Sequence, residues 1–289
     1  MSQKKTILIT GANGQLGQCF QALSNSNSQY AFLFTDRNSL QITDDNAVNL
    51  FFKENKIDVC VNCAAYTAVD KAEIESALAM EVNANAVGYL ANTCKKYNTQ
   101  FIHISTDYVF DGLANMPYKP EDKTNPVNFY GQTKLEGELN AIKENFASII
   151  IRTSWVYSEY GNNFVKTMMR LMKDKKSIGV VADQRGAPTY ALDLAEAIMH
   201  IINKNNFVAG IYHYSNKANI SWYDFAKEVA AQINTTCIVN PICTVQFPTP
   251  AARPAYSILD LQKIETVFGI ETLEWNTSLQ KCVSKQINC

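Results

Sequence analysis

The chain has 289 residues, with 26 basic and 27 acidic side chains and a formal net charge of −1. Hydrophobic residues make up 47% of it, the share of an ordinary globular protein, which excludes a disordered chain. The balanced charge and the absence of a basic tract argue against nucleic acid as a partner. The length suits one large α/β domain or a domain with a smaller satellite.

The sequence carries no sign of export or of membrane insertion. No apolar run of about 18 residues occurs, and the apolar part of MSQKKTILITGANG is too short for a signal-peptide core. We therefore expect a soluble, cytoplasmic protein with no membrane partner. Scattered cysteines in a reducing compartment are usually buried packing residues. Cys60 and Cys63 form C-x-x-C, but in the strand pattern IDVCVNC they point to opposite faces, so we predict no metal or redox role.

Apolar runs alternate with amphipathic stretches as far as Arg152. The predicted strands are 6–10, 30–36, 57–64, 100–105 and 147–152. The predicted helices are 15–24, 44–55, 73–97 and 129–145. Continuous apolar strands that alternate with helices are typical of a parallel sheet covered on both faces. Right-handed crossovers then give an α/β, doubly wound, Rossmann-type fold.

Beyond Arg152 the alternation is looser. It predicts helices at 162–174, 190–204 and 222–233, strands at 177–182 and 211–215, and two helices near the end. The Pro-rich segment 241–254 is predicted to be irregular. We predict an NAD(P)-binding domain over 1–154, to which segments around 186–213 return. Residues 155–289 should mainly form a smaller substrate-binding α/β lobe over the carboxyl ends of the strands.

A glycine-rich turn follows the first predicted strand. Its G-x-x-G-x-x-G pattern is carried by Gly11, Asn13, Gly14, Gln15, Leu16 and Gly17. Glycines permit the tight turn and let a pyrophosphate reach backbone N–H groups at the helix N-terminus. An ordinary glycine turn is the alternative, but the strand before it and the helix after it favour a dinucleotide.

The second predicted strand ends at Asp36-Arg37. An acidic residue about 20 positions past the glycines suits the ribose hydroxyls of NAD. An adjacent arginine can instead hold the 2′-phosphate of NADP. A turn-capping role for Asp36 is the alternative. We expect NADPH as the cofactor and keep NADH as a second possibility.

The sequence Tyr130-Gly-Gln-Thr-Lys134 is a Y-x-x-x-K pattern on a predicted helix, where positions i and i+4 share a face. A lysine beside a phenol favours phenolate and should lower the tyrosine pKa from about 10. Thr106, at the end of the fourth strand, is placed to share the substrate oxygen. A second copy, Tyr223 to Lys227, has no such partner strand, and we predict helix packing for it.

With these residues the chain resembles the extended short-chain dehydrogenase/reductases and, within them, the dTDP-4-dehydrorhamnose reductase family. The similarity covers almost the whole chain. It is carried by GANGQLG, VNCAAYTAVDKAE, HISTDYVFDG, YGQTKLEGE, RTSWVY, GNNFVKTMMRL and DQRGAPTYALDLA.

The resemblance implies a role for each matching residue. Tyr130 would be the proton donor, Lys134 would bind the nicotinamide ribose and tune Tyr130, and Thr106 would orient the reacting groups. The cofactor would be lined by Gln15, Leu16, Ala65, Tyr66 and Thr67. The sugar nucleotide would be bound by Asp107, Trp155, Asn163, Gln184 and Arg185, with packing as the alternative for Trp155.

The implied reaction is NAD(P)H-dependent reduction of the C4 ketone of dTDP-4-dehydro-β-L-rhamnose to dTDP-β-L-rhamnose. The alternatives are another nucleotide-sugar reductase or epimerase, or a non-catalytic regulatory homologue. Some members of the family bind magnesium at a dimer interface through acidic residues. The matching positions here are Cys19 and Leu192, which are no ligands for a hard cation, so we expect no metal. Either a monomer or a homodimer fits the sequence.

Overall fold

A computed structural model describes residues 4–287 of the chain. Its strands are β1 (Lys5–Thr10), β2 (Tyr30–Thr35), β3 (Val59–Asn62), β4 (Gln100–Thr106), β5 (Ile149–Thr153), β6 (Val156–Tyr157), β7 (Ser177–Val181), β8 (Arg185–Gly186), β9 (Thr189–Tyr190), β10 (Gly210–His213), β11 (Ile220–Ser221) and β12 (Ile238–Ile242). Its α-helices are α1 (Gln15–Ser24), α2 (Asp45–Glu54), α3 (Val69–Ala72), α4 (Ser76–Met80), α5 (Ala86–Lys96), α6 (Phe129–Glu144), α7 (Phe164–Asp174), α8 (Ala191–Lys204), α9 (Trp222–Gln232), α10 (Gln262–Phe268) and α11 (Trp275–Ile287).

Six of these strands form one parallel sheet in the order β10-β5-β4-β3-β1-β2. β1 is followed along the chain by β2 on one side, and the next strand, β3, lies on its other side. The strand order therefore reverses beside β1, which confirms the predicted doubly wound, Rossmann-type fold. Ligands of such sheets bind outside the carboxyl ends of the strands at this point.

The two faces of the sheet are buried against different helices. On one face Ile7 and Ile9 pack with Phe20 of α1 and Leu194 of α8. On the other face Leu8 packs with Phe52 of α2 and other buried side chains. Adjacent strand residues therefore point to opposite faces, as the period of two requires. Aromatic and aliphatic side chains from α7, α9 and α11 form a separate core, and we call the part of the chain around this core the C-terminal lobe.

The predicted helix 73–97 is confirmed from Ser76 to Lys96, but it is not one regular α-helix. A π-helical turn over Glu81–Asn85 joins α4 to α5. The turn brings the backbone of Asn83 against α6, where a Cβ on Gly137 would lie 2.1 Å from the Asn83 carbonyl oxygen. Close packing of two helices at a glycine thus accompanies the irregular turn.

The prediction that the segment 241–254 is irregular is wrong for its first two residues. β12 runs into it as far as Ile242 and pairs in parallel with β7. Pro241 fits because β12 is an edge strand, where a missing N–H leaves no bond unmade.

The cysteines are only partly the buried residues that we predicted. Cys60 and Cys63 contact opposite faces of the sheet, as their spacing requires. Cys243 is exposed and Cys63 is half-buried, while the other five in the described residues are buried and all seven are free. Cys289 lies outside the described residues. None of the helices in the described part of the chain combines the length and apolar character needed to cross a bilayer.

Candidate active site

A cleft of about 990 Å³ lies at the carboxyl ends of the central strands. Its walls come from both halves of the chain, from the glycine turn after β1 to Trp155 and Trp222 of the C-terminal lobe. The volume is at the upper end of the usual range for small-molecule sites, about 300–1,000 Å³. Tyr130, Lys134 and Thr106 line the same cleft.

The glycine turn is held by close backbone contacts. Gly11 has a φ of +64°, and a Cβ there would lie 2.7 Å from Ala64. A Cβ on Gly17 would lie 2.5 Å from the Gly11 carbonyl oxygen, so α1 packs directly on the turn. Gly14 is the N-cap of α1 and supplies no side-chain hydrogen bond. The first N–H groups of α1 therefore face the cleft without a side-chain cap, as a phosphate site requires.

Asp36 is part of a turn at the end of β2. Its Oδ1 accepts hydrogen bonds from the backbone N–H groups of Asn38 and Ser39, both at 3.0 Å, and its Oδ2 accepts from Nδ2 of Asn13 at 2.9 Å. The Ser39 backbone and hydroxyl bonds hold the pKa of this carboxyl below its usual range. Arg37 lines the cleft, is exposed, and forms no hydrogen bond or ion pair with any residue of the described chain. Its guanidinium is thus free to bind an anion.

Gln15 connects the glycine turn to the C-terminal lobe. Its Oε1 accepts hydrogen bonds from Oγ of Ser158 and from Nδ2 of Asn163, both at 3.0 Å. Asn163 also caps α7, because its Oδ1 accepts from the backbone N–H of Lys166. Asn163, predicted to contact the substrate, is therefore engaged in holding Gln15 and α7 and does not line the cleft.

The loop after β3 is held by the π-helical turn. Oδ1 of Asn83 accepts from the backbone N–H of Tyr66 at 2.8 Å, and its Nδ2 donates to the Tyr66 carbonyl and to Oγ1 of Thr133, both at 3.0 Å. Ala65 and Thr67 line the cleft as predicted. The hydroxyl of Tyr66 instead donates to Glu75 at 2.8 Å, so its side chain points away from the cleft.

α6 positions the Y-x-x-x-K pair. Oδ1 of Asn128 caps the helix by accepting from the Gly131 N–H at 2.8 Å. A Cβ on Gly131 would lie 2.2 Å from the carbonyl oxygen of Tyr108, so only glycine lets the helix approach the loop after β4 this closely. Tyr130 and Lys134, four residues apart, consequently face the end of β4 on one side of α6.

Asp107 lies beside Tyr130 and is buried. Its Oδ1 accepts from the Thr106 hydroxyl at 3.0 Å, while its Oδ2 has no hydrogen-bond partner in the described structure. Burial raises the pKa of Asp107 to about 7, against the lowering effect of the Ser257 and Thr106 hydroxyls. A buried acceptor without a partner at the wall of the cleft suits a hydroxyl group of a ligand.

The expected lowering of the Tyr130 pKa by Lys134 is wrong for this structure. Burial and the nearby Asp107 raise the pKa of Tyr130 to about 12, and only the hydrogen bond with Thr106 lowers it. Lys134 donates instead to the Ile104 carbonyl at 2.6 Å. Burial lowers the pKa of Lys134 to about 8. The phenolate form of Tyr130 and the ammonium form of Lys134 are therefore less stable here than in water.

Trp155 reaches the cleft, as predicted, together with a residue that the sequence did not single out. Its ring stacks on Trp222 with centroids 3.5 Å apart and planes at 11°. Its φ of +46° is rare for a bulky residue and marks a constrained position. A Cβ on Gly186 would lie 2.4 Å from the Trp155 ring, so the glycine makes room for it. Trp222 follows β11 and could not be placed from sequence because it lies 67 positions from its partner (222 − 155).

Gln184 and Arg185 do not line the cleft. Nε2 of Gln184 donates to Oγ1 of Thr244 at 3.0 Å, and Nε of Arg185 donates to Oδ1 of Asn219 at 2.7 Å. Both side chains connect loops of the C-terminal lobe. Tyr223 and Lys227, the second Y-x-x-x-K pair, also lie outside the cleft, with the ammonium 5.5 Å from the ring centroid.

Neither position matched to the family's metal site carries a carboxylate. Cys19 is buried in the core beside the sheet, and Leu192 packs against that core. No cluster of three or more histidine, cysteine, aspartate or glutamate side chains that could hold a metal ion exists within residues 4–287.

Several known proteins resemble the chain along almost its whole length. A model of the family described as RmlD substrate binding domain matches residues 5–287. A dTDP-4-dehydrorhamnose reductase of Aggregatibacter actinomycetemcomitans is 44% identical over 284 residues, which cover 95% of this chain and 97% of that protein.

Two solved structures agree with this match. The dTDP-4-dehydrorhamnose reductase of Clostridium acetobutylicum superposes with a TM-score of 0.93 at 43% identity, over 97% of this chain and 99% of that one. The Bacillus anthracis enzyme of the same name, in complex with NADP, has a TM-score of 0.94 at 37% identity, over 98% and 100% of the two chains.

Proposed function

The chain belongs to the RmlD substrate binding domain family, and we propose on that basis that it reduces the C4 ketone of dTDP-4-dehydro-β-L-rhamnose with NADPH to give dTDP-β-L-rhamnose. The observation that carries the proposal is the placement of Tyr130, Lys134 and Thr106 in one cleft with the glycine turn. A proton donor thus shares a cavity with a phosphate-binding helix N-terminus, which is what a dinucleotide-dependent reductase needs. The protein is an oxidoreductase of the extended short-chain dehydrogenase/reductase type.

The cofactor side of the cleft fits a dinucleotide. Gly11, Gly14 and the uncapped first turn of α1 would receive the pyrophosphate, with Leu16 beside them and Gly17 allowing the close packing. Arg37 would hold the 2′-phosphate of NADPH, while Asp36 and Asn13 shape the turn that carries it. NADPH, when bound, supplies the hydride that adds to C4 of the sugar.

Tyr130 acts as the general acid in this proposal. Because its pKa is about 12, its hydroxyl remains protonated at neutral pH and can donate a proton to the alkoxide oxygen that forms at C4. The Thr106 hydroxyl lowers the pKa of Tyr130 and so favours the phenolate that is left, whereas Lys134, which donates to the Ile104 carbonyl, would bind the nicotinamide ribose. Proton donation of this kind typically contributes about 10²–10⁴-fold to the rate.

Fewer residues would contact the nucleotide sugar directly than the resemblance to the family implies. Oδ2 of Asp107 would accept a sugar hydroxyl, and Trp155 would provide an apolar wall. Asn163, Gln184 and Arg185 would support the loops around the nucleotide. Ala65 and Thr67 would line the cofactor, and Tyr66 would fix their loop through Glu75.

We place the protein in the cytoplasm because the seven cysteines of the described residues are all free thiols, which is typical of a reducing compartment. Either a monomer or a homodimer fits this proposal. Light scattering during size-exclusion chromatography distinguishes the two.

The test is an NADPH-oxidation assay with dTDP-4-dehydro-β-L-rhamnose and with other dTDP- and GDP-linked 4-keto sugars. We expect one NADPH consumed per sugar reduced, with preference for the first substrate. An epimerase would convert substrate with no net loss of cofactor. A regulatory homologue would oxidise no NADPH with any of the sugars and would co-purify with a partner enzyme.

A further inference from the structure

His103 is a buried titratable group that the proposed chemistry does not use. It lies on β4, three residues before Thr106, and is fully buried. Its Nδ1 is 3.1 Å from Nδ2 of Asn62, and its Nε2 is 3.4 Å from Nζ of Lys134. The imidazole ring therefore contacts the side-chain nitrogen of Lys134 on α6.

The surroundings of Asn62 determine which imidazole nitrogen carries the proton. Oδ1 of Asn62 accepts from Oγ1 of Thr10 at 2.6 Å and from the backbone N–H of Ala64 at 3.2 Å. Since that N–H is only a donor, the amide oxygen must face it, and the amide NH2 must face His103. Nδ1 of His103 is consequently the acceptor, and the proton of the neutral ring lies on Nε2, toward Lys134.

An N–H group that points at Lys134 affects its two protonation states differently. An ammonium has three donors and no acceptor, whereas a neutral amine has a lone pair that can accept from Nε2–H. The imidazole thus favours the neutral amine and directs the ammonium N–H groups toward the Ile104 carbonyl and the cleft. Burial keeps His103 neutral, since it lowers the pKa of the ring well below its usual value.

The other titratable groups around Lys134 act in the opposite sense. Glu138, one turn further along α6, and Cys63, after β3, both raise the pKa of Lys134. Glu138 forms a buried bidentate ion pair with Arg152, at 2.9 and 2.7 Å, and this pair offsets its charge. His103, with its Nε2 3.4 Å from Nζ, acts against the charged form of the lysine, unlike Glu138 and Cys63.

We propose that His103 is a positioning residue for Lys134, whose Nε2–H holds the lysine nitrogen against the Ile104 carbonyl and sets the balance between its ammonium and amine forms. The inference rests on the proposed function, because it takes Lys134 as part of the catalytic set. Its first test does not depend on activity, so the two can fail separately.

That first test is ¹⁵N NMR of the imidazole nitrogens in the cofactor-free protein. The chain has only three histidines, and His103→Gln and His213→Phe variants assign two of them. We expect a protonated Nε2 and an unprotonated Nδ1 for His103, unchanged from pH 5 to pH 8.5. A ring protonated on Nδ1, or one that titrates in this range, overturns the proposal whatever the enzyme catalyses.

The second test is the pH profile of kcat/KM. Loss of activity at alkaline pH should follow deprotonation of Lys134, and His103→Phe should move that limb upward by about half a pKa unit or more. His103→Gln, which restores a donor near Nε2, should bring the limb back toward wild type. His213→Phe, a control at another fully buried histidine on β10, should leave it unmoved. An unchanged limb in a folded His103→Phe variant contradicts the proposal, and if that variant does not fold, the NMR result on the wild-type protein decides.

Discussion

The cofactor side and the substrate side of the cleft are built by different means. On the cofactor side, backbone packs on backbone: Gly11 lies against Ala64, and Gly17 lies against Gly11 and Ala12. On the substrate side, long polar side chains such as Gln184 and Arg185 connect loops by hydrogen bonds. A site of the first kind tolerates almost no added atom, whereas one of the second kind distributes its support over many modest interactions.

Between these two sides lie Tyr130, Lys134 and Thr106, and a substitution there should have the largest effect on activity. Tyr130→Phe removes the proton donor without changing the packing of α6, so kcat should fall by about 10²–10⁴-fold. NADPH affinity, measured by fluorescence titration, should change little. Tyr223→Phe, in the second Y-x-x-x-K pair outside the cleft, is the matched control and should keep wild-type turnover. Near-wild-type kcat in Tyr130→Phe would remove the tyrosine from the mechanism.

A methyl group in the glycine turn should be the next most damaging change. A Cβ at Gly17 would lie 2.5 Å from the Gly11 carbonyl oxygen, so Gly17→Ala must displace α1 from the turn. We expect a loss of about 1–3 kcal/mol in the free energy of unfolding and weaker NADPH binding. Gly88→Ala, whose Cβ would meet Asn140 at an ordinary 3.4 Å, should be neutral or stabilising. Equal urea denaturation curves for the two variants would disprove the backbone account.

On the substrate side, Asp107 should make stability depend on pH. Its folded pKa of about 7 lies above the ordinary value of 3.8, so the folded state retains a proton that the unfolded chain releases. Its contribution to stability therefore falls as pH rises from about 4 to 7 and stays low above that range. We expect the free energy of unfolding of Asp107→Asn, relative to that of wild type, to increase by about 1–3 kcal/mol from pH 5 to pH 8. Urea unfolding at the two pH values measures this change.

Asp111 provides the control for this prediction, because hydrogen bonds from Leu113 and Tyr118 lower its pKa. Its stabilisation is already complete above pH 4, so the penalty of Asp111→Asn should be the same at pH 5 and at pH 8. A difference between wild type and Asp107→Asn that is likewise independent of pH would contradict the buried-carboxyl account.

Arg37 should determine cofactor choice by a smaller amount. Arg37→Ser removes the free guanidinium and should weaken NADPH binding by about tenfold, since a hydrogen bond to a charged group is worth about 1.5–3 kcal/mol. NADH binding should change little. Arg170→Ser, at an exposed position on α7, is the charge-matched control. If the affinities for NADPH and for NADH fall by the same factor in Arg37→Ser, the arginine does not bind the 2′-phosphate.

Arg185→Ala should have the smallest effect. Its guanidinium donates to Asn219 and does not line the cleft, so we expect less than about a threefold change in the KM for the nucleotide sugar. A rise in KM of tenfold or more would show that the arginine turns into the cleft when substrate binds.

These two sides also differ in how far sequence could predict them. The glycine turn, Tyr130 and Lys134 follow from spacing along one strand or one helix, so local pattern was enough to place them in the cleft. Whether Asn163 or Arg185 reaches the cleft depends on partners 148 and 34 residues away along the chain. The prediction of a lowered Tyr130 pKa is wrong because that pKa is set by burial and by Asp107, and not by the lysine four residues further along the helix.

Hydride transfer to the sugar is the central claim, and isotope transfer tests it most directly. NADPH deuterated at C4 of the nicotinamide, on one face and then on the other, is incubated with the protein and dTDP-4-dehydro-β-L-rhamnose, and the product is analysed by NMR. We predict deuterium at C4 of the product sugar, one atom per turnover, from one of the two labelled faces. Deuterium that remains on the cofactor with both labels, or product that forms without NADPH consumption, would contradict the account.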